Sequence, residues 1–359
     1  MCERVFKGNI VFTNEFGKLE VIESGYIVVA DNKVVGVYSE LPSIYSDARV
    51  FDYGDRLIVP GLVTLDLIAP EFGLGHNHKA DTNELSDATY AEERYIELSR
   101  ELRRSGMTRT VLEGTIYMES NIRLMDVIAK SGLGAFVSNS VSDNNGEYAY
   151  SLKKLKSDAE ELLIMTSRRY ENVKPMLSVS LSECCSKDLI ELILSLSQRH
   201  NSKLKLNISS SGLGEIPAVH SERVLVSFES KCSMYNLSES SFVSISERSG
   251  LKPSEVKSGI RDGLSFGLSS SGTSLCSTIS SLLNQGFELG EVLYLATKGG
   301  GAFFGKVGAF EEGYEFDAIV LEDSNSKRNP LETLEAFLTS SGGVVVSDLY
   351  MSGQKSLGL

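Results

Sequence analysis

A repeated strand-then-helix pattern, from about residue 58 to residue 300, is the feature that most constrains the fold. Short apolar segments alternate there with longer segments of helical character. Such alternation is typical of parallel strands that are joined by crossover helices. Eight strands of this kind predict a closed (β/α)8 barrel of the TIM type. The eight segments are 58–67, 108–113, 134–138, 174–181, 203–209, 223–228, 242–246 and 264–268.

The two ends of the chain have a different pattern, of short β strands separated by turns. The dipeptide Asp31-Asn32 is a tight-turn signal between two of them. Because chain termini often lie close together, we expect both ends to form one small, discontinuous β-sandwich domain. The predicted domains are the sandwich, residues 1–57 and 306–359, and the barrel, residues 58–305.

The bulk composition excludes several classes of protein. A formal net charge of −13 argues against a general nucleic-acid or anionic-membrane surface. No apolar run reaches about 18 residues, because Asp66 interrupts the best candidate, so no membrane span is predicted. The start of the chain lacks the apolar core of a signal peptide. Five cysteines without a CxxC spacing indicate reduced thiols, and we therefore expect a cytoplasmic protein.

The first predicted barrel strand carries a damaged metal-binding motif. Residues 60–63, Pro-Gly-Leu-Val, resemble the first strand of metal-dependent amidohydrolases, which has the form PGLVDxHxH. Alternation along a strand places the two histidines of that motif on one side, where both can bind one ion. In this chain the two positions hold Asp66 and Ile68. An isoleucine has no atom that can coordinate a metal.

Six segments, in the order in which they occur, make the resemblance more specific. They resemble motifs of the guanine deaminase family, which are zinc-dependent amidohydrolases of purine metabolism. The similarity extends over nearly the whole chain, although this chain is shorter than typical members after residue 210. The resemblance implies an amidohydrolase barrel and a homodimer. The segments are Ala69-Pro70, 104–110, 114–120, Val173-Lys174-Pro175, 295–300 and 307–318.

The resemblance also implies a set of site positions, and this chain departs from the family at each. The family activates water on its zinc ion, and a nearby glutamate moves protons as the water attacks guanine. That glutamate position falls on Ser210, and the substrate-holding glutamine and arginine positions fall on Glu71 and near Ser180. We therefore predict no catalytic residue and no zinc cofactor. The five metal-ligand positions fall on Asp66, Ile68, Asn207, Ser227 and Ser271.

Two other arrangements could supply chemistry. His76 and His78 restore an HxH pattern, and with Asp66 they could form a substitute metal site, or they could be solvated loop histidines. Serines at 209–211 and 269–271 could act as nucleophiles, or they could satisfy backbone groups of loops. No histidine, and no convincing lysine, is placed to act as the base that a serine nucleophile needs.

Three functions follow as alternatives from these observations. The first is a pseudoenzyme: a guanine deaminase-like scaffold, ligand sensor or interaction partner that has lost zinc binding and catalysis. The second is an active hydrolase that converts guanine to xanthine and ammonia with an atypical metal site. The third is a purine-binding module without catalysis. We favour the first, because all five ligand positions depart from the family. The sequence does not identify a protein partner.

Overall fold

The computed structural model describes residues 3–72, 84–143, 151–182, 185–208, 223–228, 237, 239–270, 272–325 and 327–356. Within these ranges there are fifteen strands and eight α-helices. The strands are β1 (Arg4–Glu15), β2 (Lys18–Ala30), β3 (Lys33–Tyr38), β4 (Arg49–Pro60), β5 (Leu62–Ile68), β6 (Met107–Glu113), β7 (Gly134–Ser138), β8 (Val173–Leu181), β9 (Leu204–Ile208), β10 (Val224–Phe228), β11 (Phe242–Ile245), β12 (Ser265–Ser269), β13 (Ala318–Asp323), β14 (Val344–Met351) and β15 (Gln354–Lys355). The helices are α1 (Ala88–Arg104), α2 (Met118–Ser131), α3 (Leu152–Thr166), α4 (Lys187–His200), α5 (Pro253–Arg261), α6 (Cys276–Asn284), α7 (Leu289–Tyr294) and α8 (Pro330–Leu338).

The chain divides into two compact units. The first contains Met1–Thr64, Arg100–Arg109 and Ser274–Leu359, and the second contains Leu65–Ser99 and Thr110–Thr273. The domain boundaries predicted from sequence, at 57/58 and 305/306, remain a prediction.

A seven-stranded mixed sheet joins the two ends of the chain, in the order β15-β14-β13-β4-β1-β2-β3. Strand β4 runs parallel to β1 and antiparallel to β13, so the N-terminal and C-terminal segments share one sheet. Aromatic side chains fill its core, where the ring of Phe6 stacks on that of Phe316 with centroids 4.4 Å apart. The predicted pairing of the two chain ends is therefore confirmed.

The barrel is closed, with the strand order β10-β11-β12-β5-β6-β7-β8-β9. The eight strands follow one another around it in chain order, which confirms the predicted (β/α)8 architecture. The helices between them have recognisable ends. Helix α4, for example, begins after Ser186, whose hydroxyl accepts a hydrogen bond from the Leu189 N–H at 3.1 Å. It ends at Asn201, which adopts a left-handed conformation with φ of 55°.

The first predicted barrel strand, 58–67, is corrected by the structure. Residues 58–60 belong to β4 of the seven-stranded sheet, and the barrel strand β5 begins at Leu62. The two strands meet at Gly61, whose N–H donates to the carbonyl oxygen of Asp317 at 3.0 Å. A Cβ at Gly61 would lie 2.3 Å from the side chain of Thr108, so only glycine fits there without a shift. The apolar run from 57 to 63 is continuous in sequence, and it hides this change of sheet.

No helix in the described ranges is long and apolar enough to cross a membrane.

Candidate functional site at the barrel mouth

Polar side chains converge at the carboxyl ends of four barrel strands, the region that we call the barrel mouth. Asp66 lies near the end of β5, Glu113 ends β6, and Ser227 lies near the end of β10. Lys205 and Asn207 are two residues apart on β9, and alternation therefore places them on the same face of that strand. In barrels of this type the active site is built at the carboxyl ends of the strands.

A buried ammonium group stands at the centre of these residues. The Nζ of Lys205 lies 2.5 Å from Oδ1 of Asp66 and 2.8 Å from Oε2 of Glu113. The lysine side chain is only 1% exposed, whereas the two carboxylates are 15% and 13% exposed. Burial alone lowers the pKa of Lys205, but the two carboxylates outweigh it, and the net pKa is raised above its ordinary value. The lysine is therefore protonated at neutral pH.

Two neutral donors also form hydrogen bonds to the carboxylates. Asn207 Nδ2 donates to Oε2 of Glu113 at 3.0 Å, and the hydroxyl of Ser227 donates to Oδ2 of Asp66 at 2.5 Å. Each carboxylate thus accepts from the ammonium and from one uncharged side chain. We call these five residues, Lys205, Asp66, Glu113, Asn207 and Ser227, the Lys205 cluster.

Further serines lie at the same level of the barrel. In the parallel ladders Asn207 pairs with Ser180 on one side and with Ser227 on the other, and Ser227 pairs with Ser244. Ser244 is 2% exposed, and its hydroxyl has no hydrogen-bond partner within the described ranges. A buried hydroxyl without a partner is unusual and calls for an explanation.

The structure brings three of the predicted metal-ligand positions together. Asp66, Asn207 and Ser227 all belong to the Lys205 cluster. Ser227 bonds directly to Asp66, whereas Asn207 bonds to Glu113 and Lys205 bonds to Asp66. Ile68, at the end of β5, is 41% exposed and offers no donor atom.

The two predicted substrate positions are also described. Glu71 is exposed and ends a single 3-10 turn, Ala69–Glu71, that follows β5. Ser180 lies on β8 beside Asn207, as the ladder pairing shows. Six of the candidate positions lie outside the described residues, namely His76, His78, Ser209, Ser210, Ser211 and Ser271.

Lys205 and Glu113 are site residues that the sequence analysis missed. The available signal was local: Leu204-Lys205-Leu206 places a lysine between two leucines of a predicted strand. Lys and Glu are almost never fully buried unless they are paired. The pattern therefore indicated an internal ion pair, but it did not identify the carboxylate partners.

The donor set of the Lys205 cluster does not fit a zinc ion. Zinc sites use thiolate, imidazole or carboxylate ligands, usually four of them. Here the amide of Asn207 and the hydroxyl of Ser227 are committed to the carboxylates, and a positive ammonium already lies between those carboxylates. Within the described ranges no three His, Cys, Asp or Glu side chains are grouped to hold a metal.

Sequence comparison finds guanine deaminases among the relatives of this chain. No protein-family model matches the chain. The guanine deaminase of Pongo abelii is 25% identical, over 98% of this chain and 94% of that protein. The guanine deaminase of Mus musculus is 23% identical over the same shares of the two chains. A match to the guanine deaminase of Dictyostelium discoideum, at 21% identity, covers 58% of this chain and 54% of that relative.

Comparison with solved structures also finds guanine deaminases. The guanine deaminase from C. acetobutylicum, solved with bound guanine, superposes with a TM-score of 0.84 at 25% identity, covering 99% of this chain and 100% of that one. The E. coli guanine deaminase superposes with a TM-score of 0.77 at 17% identity, over 98% of each chain. The closed barrel with its discontinuous sheet therefore defines an amidohydrolase-type fold. Within that class the chain is guanine deaminase-like, in sequence and in fold.

Proposed function

We propose that this guanine deaminase-like protein does not carry out zinc-dependent hydrolysis, and that its barrel serves as a scaffold, a ligand sensor or an interaction partner. The observation that carries the proposal is the contact of 2.5 Å between Lys205 Nζ and Asp66 Oδ1. A divalent ion bound by Asp66 would have to displace this ammonium or be repelled by it. Either outcome costs binding free energy, because like charges repel strongly at a buried site.

The protonation state of Lys205 supports the same conclusion. A general base must be unprotonated at the working pH, and its pKa should lie near that pH. The pKa of Lys205 is raised by Asp66 and Glu113, so the amine cannot accept a proton from water at neutral pH. An amine nucleophile is excluded at this position for the same reason.

A second candidate function is purine binding without turnover. It is favoured by the partial exposure of the Asp66 and Glu113 side chains, at 15% and 13%, since each carries hydrogen-bond acceptors. Such acceptors suit the N–H groups on the edge of a purine. A thermal-shift screen with guanine, adenine, hypoxanthine and xanthine tests it, because a specific ligand raises the melting temperature by mass action. No shift with any of the four would exclude this candidate.

A deamination assay tests the proposal itself. Purified protein, supplemented with Zn²⁺, is incubated with guanine, and xanthine and ammonia are both quantified. We expect no product above the level of the Asp66→Asn variant, which keeps the shape of the side chain but removes its charge. Xanthine production that depends on Asp66 would contradict the proposal. Turnover that is equal in both proteins would indicate a contaminating deaminase.

A homodimer and a cytoplasmic location are part of the same proposal. The homodimer is implied by the resemblance to guanine deaminases. The location is supported by Cys276, which forms no disulfide within the part of the chain that the structure describes. Sedimentation equilibrium of the purified chain tests the homodimer, and a monomer at micromolar concentration would contradict it.

A further inference from the structure

We propose that the barrel mouth contains a binding site for a primary ammonium group, and that the chain fills this site with its own Lys205. The site is formed by the carboxylates of Asp66 and Glu113 together with Asn207 and Ser227. The inference rests on the proposed absence of zinc from the barrel mouth. It predicts that removal of the lysine side chain leaves a site that takes a small alkylammonium ion from solution.

The hydrogen bonding within the cluster orients both carboxylates toward the ammonium. Asp66 uses Oδ1 for Lys205 and Oδ2 for Ser227, so the hydroxyl fixes the rotation of the carboxylate. Glu113 accepts from both Lys205 and Asn207 through Oε2. An ammonium has three donors and no acceptor, and it therefore matches a group of carboxylate acceptors.

An independent observation comes from the next strand. Ser244 is 2% exposed, and its hydroxyl lacks a hydrogen-bond partner among the described residues. It pairs in the ladder with Ser227, so its side chain stands on the same face of the sheet as the hydroxyl that bonds to Asp66. The Ser244 hydroxyl, beside the cluster, can therefore accept a hydrogen bond from a donor that the described part of the chain does not supply.

Charge and donor type define the class of ligand. Two carboxylates and one ammonium leave the cluster with a formal charge of −1, and without the lysine the charge would be −2. The five residues of the cluster therefore repel anions. The ligand atoms of Asp66 and Glu113 are oxygens, which accept hydrogen bonds from an ammonium and suit a hard metal ion better than zinc.

Chemical rescue tests the inference. The Lys205→Ala substitution removes three methylene groups and the ammonium, and propylammonium restores the same atoms. Thermal unfolding of the full chain is followed with propylammonium chloride, with 1-propanol as the uncharged analogue, and with tetramethylammonium chloride as a cation without N–H donors. We expect propylammonium alone to raise the melting temperature of Lys205→Ala saturably, by several degrees, and to leave the wild type unchanged.

The Lys205→Met variant is the matched control, because its side chain fills the cavity without a charge. We expect no rescue of this variant by propylammonium. Equal stabilisation of Lys205→Ala by 1-propanol, or no stabilisation by propylammonium, would overturn the inference. Stabilisation by Mg²⁺ or Zn²⁺ but not by propylammonium would also overturn it, since it would assign a metal site.

A second comparison applies if Lys205→Ala does not fold. Lys205→Met removes the ammonium from between the two carboxylates, and the further changes Asp66→Asn and Glu113→Gln remove both negative charges. We expect the triple variant to melt at a higher temperature than Lys205→Met alone, and an equal or lower melting temperature would overturn the inference. Stoichiometric zinc in the wild type would instead contradict the proposed function, so the two failures can be distinguished.

Discussion

The Nζ of Lys205 lies 2.5 Å from Oδ1 of Asp66, although the two residues are 139 positions apart in the chain. Asp66 stands where the resemblance places the first metal-binding histidine. A position aligned with a metal ligand thus holds a carboxylate that binds an internal cation. The lysine is 1% exposed and bridges to a second carboxylate, Glu113. Removal of one partner from such a buried ion pair lowers the free energy of unfolding, because it leaves uncompensated charge.

Lys205→Met should therefore destabilise the protein by about 3–5 kcal/mol, measured as the free energy of unfolding in urea. Lys203→Met is the control, at the residue that immediately precedes β9. The ring of Phe136 lies 5.2 Å from Lys203 Nζ, and burial lowers the pKa of this lysine to about 8. Its charge is therefore disfavoured in the folded state, and its loss should cost much less. Equal effects of the two substitutions would contradict the assignment of Lys205.

Lys203 itself should make stability depend on pH. Its folded pKa of about 8 lies below the ordinary value of 10.5, chiefly through burial and secondarily through the charge of Arg223. Between these two values the unfolded chain binds more protons than the folded one, so stability rises with pH. Wild type should thus gain stability relative to Lys203→Met as the pH rises from about 8 to 10.5. A difference between the two proteins that stays constant over this range would contradict the prediction.

A second buried ion pair should behave like the Lys205 cluster. Arg109 is 8% exposed, and its Nε lies 2.6 Å from Oδ2 of Asp317, which is 1% exposed. Arg109→Met should cost about 3–5 kcal/mol of unfolding free energy, since it leaves Asp317 charged and buried. Arg104 pairs with Glu101 on the surface at 2.7 Å, and Arg104→Met should cost at most about 1 kcal/mol. Urea unfolding of both variants checks the contrast, and comparable losses would refute it.

Gly61→Ala should destabilise the junction between the two sheets. The added Cβ would lie 2.3 Å from the side chain of Thr108, which is fully buried. Overpacking of this kind typically costs about 1–3 kcal/mol. The double variant Gly61→Ala/Thr108→Ala should recover part of the loss, because the clashing atoms are removed. Gly272→Ala, where an added Cβ would meet no described atom within 4 Å beyond its chain neighbours, should be close to neutral. Failure of the double variant to recover any stability would show that the close contact is not the cause.

The fold was largely predictable because its strands and helices have clear periodicities and ends. Strand β7 has the bounds that its sequence pattern predicts, 134–138. The change of sheet at Gly61 was not predictable, since it depends on the contact with Thr108, 47 residues further on. The local sequence pattern indicates which residues form a strand. Contacts between residues that are distant in the chain determine which sheet that strand joins.

The site was predictable only in part, for a related physical reason. The resemblance located Asp66, Asn207 and Ser227 at the ends of strands, and strand ends of a barrel meet at one mouth. The space between these three residues is filled by the side chain of Lys205, which comes from another position of β9. Lys205 is two residues before Asn207, and neither it nor Glu113 lies at a position that the family motifs mark. Their pairing appears only when the barrel is closed.

Zinc content measured together with guanine turnover tests most directly whether the protein lacks zinc binding and guanine deamination. The wild-type chain is dialysed to equilibrium against Zn²⁺, its bound zinc is quantified by mass spectrometry, and the same sample is assayed for xanthine. We expect bound zinc far below one ion per chain and no xanthine above the Asp66→Asn background. One zinc ion per chain, lost in Asp66→Asn and accompanied by xanthine production, would contradict it.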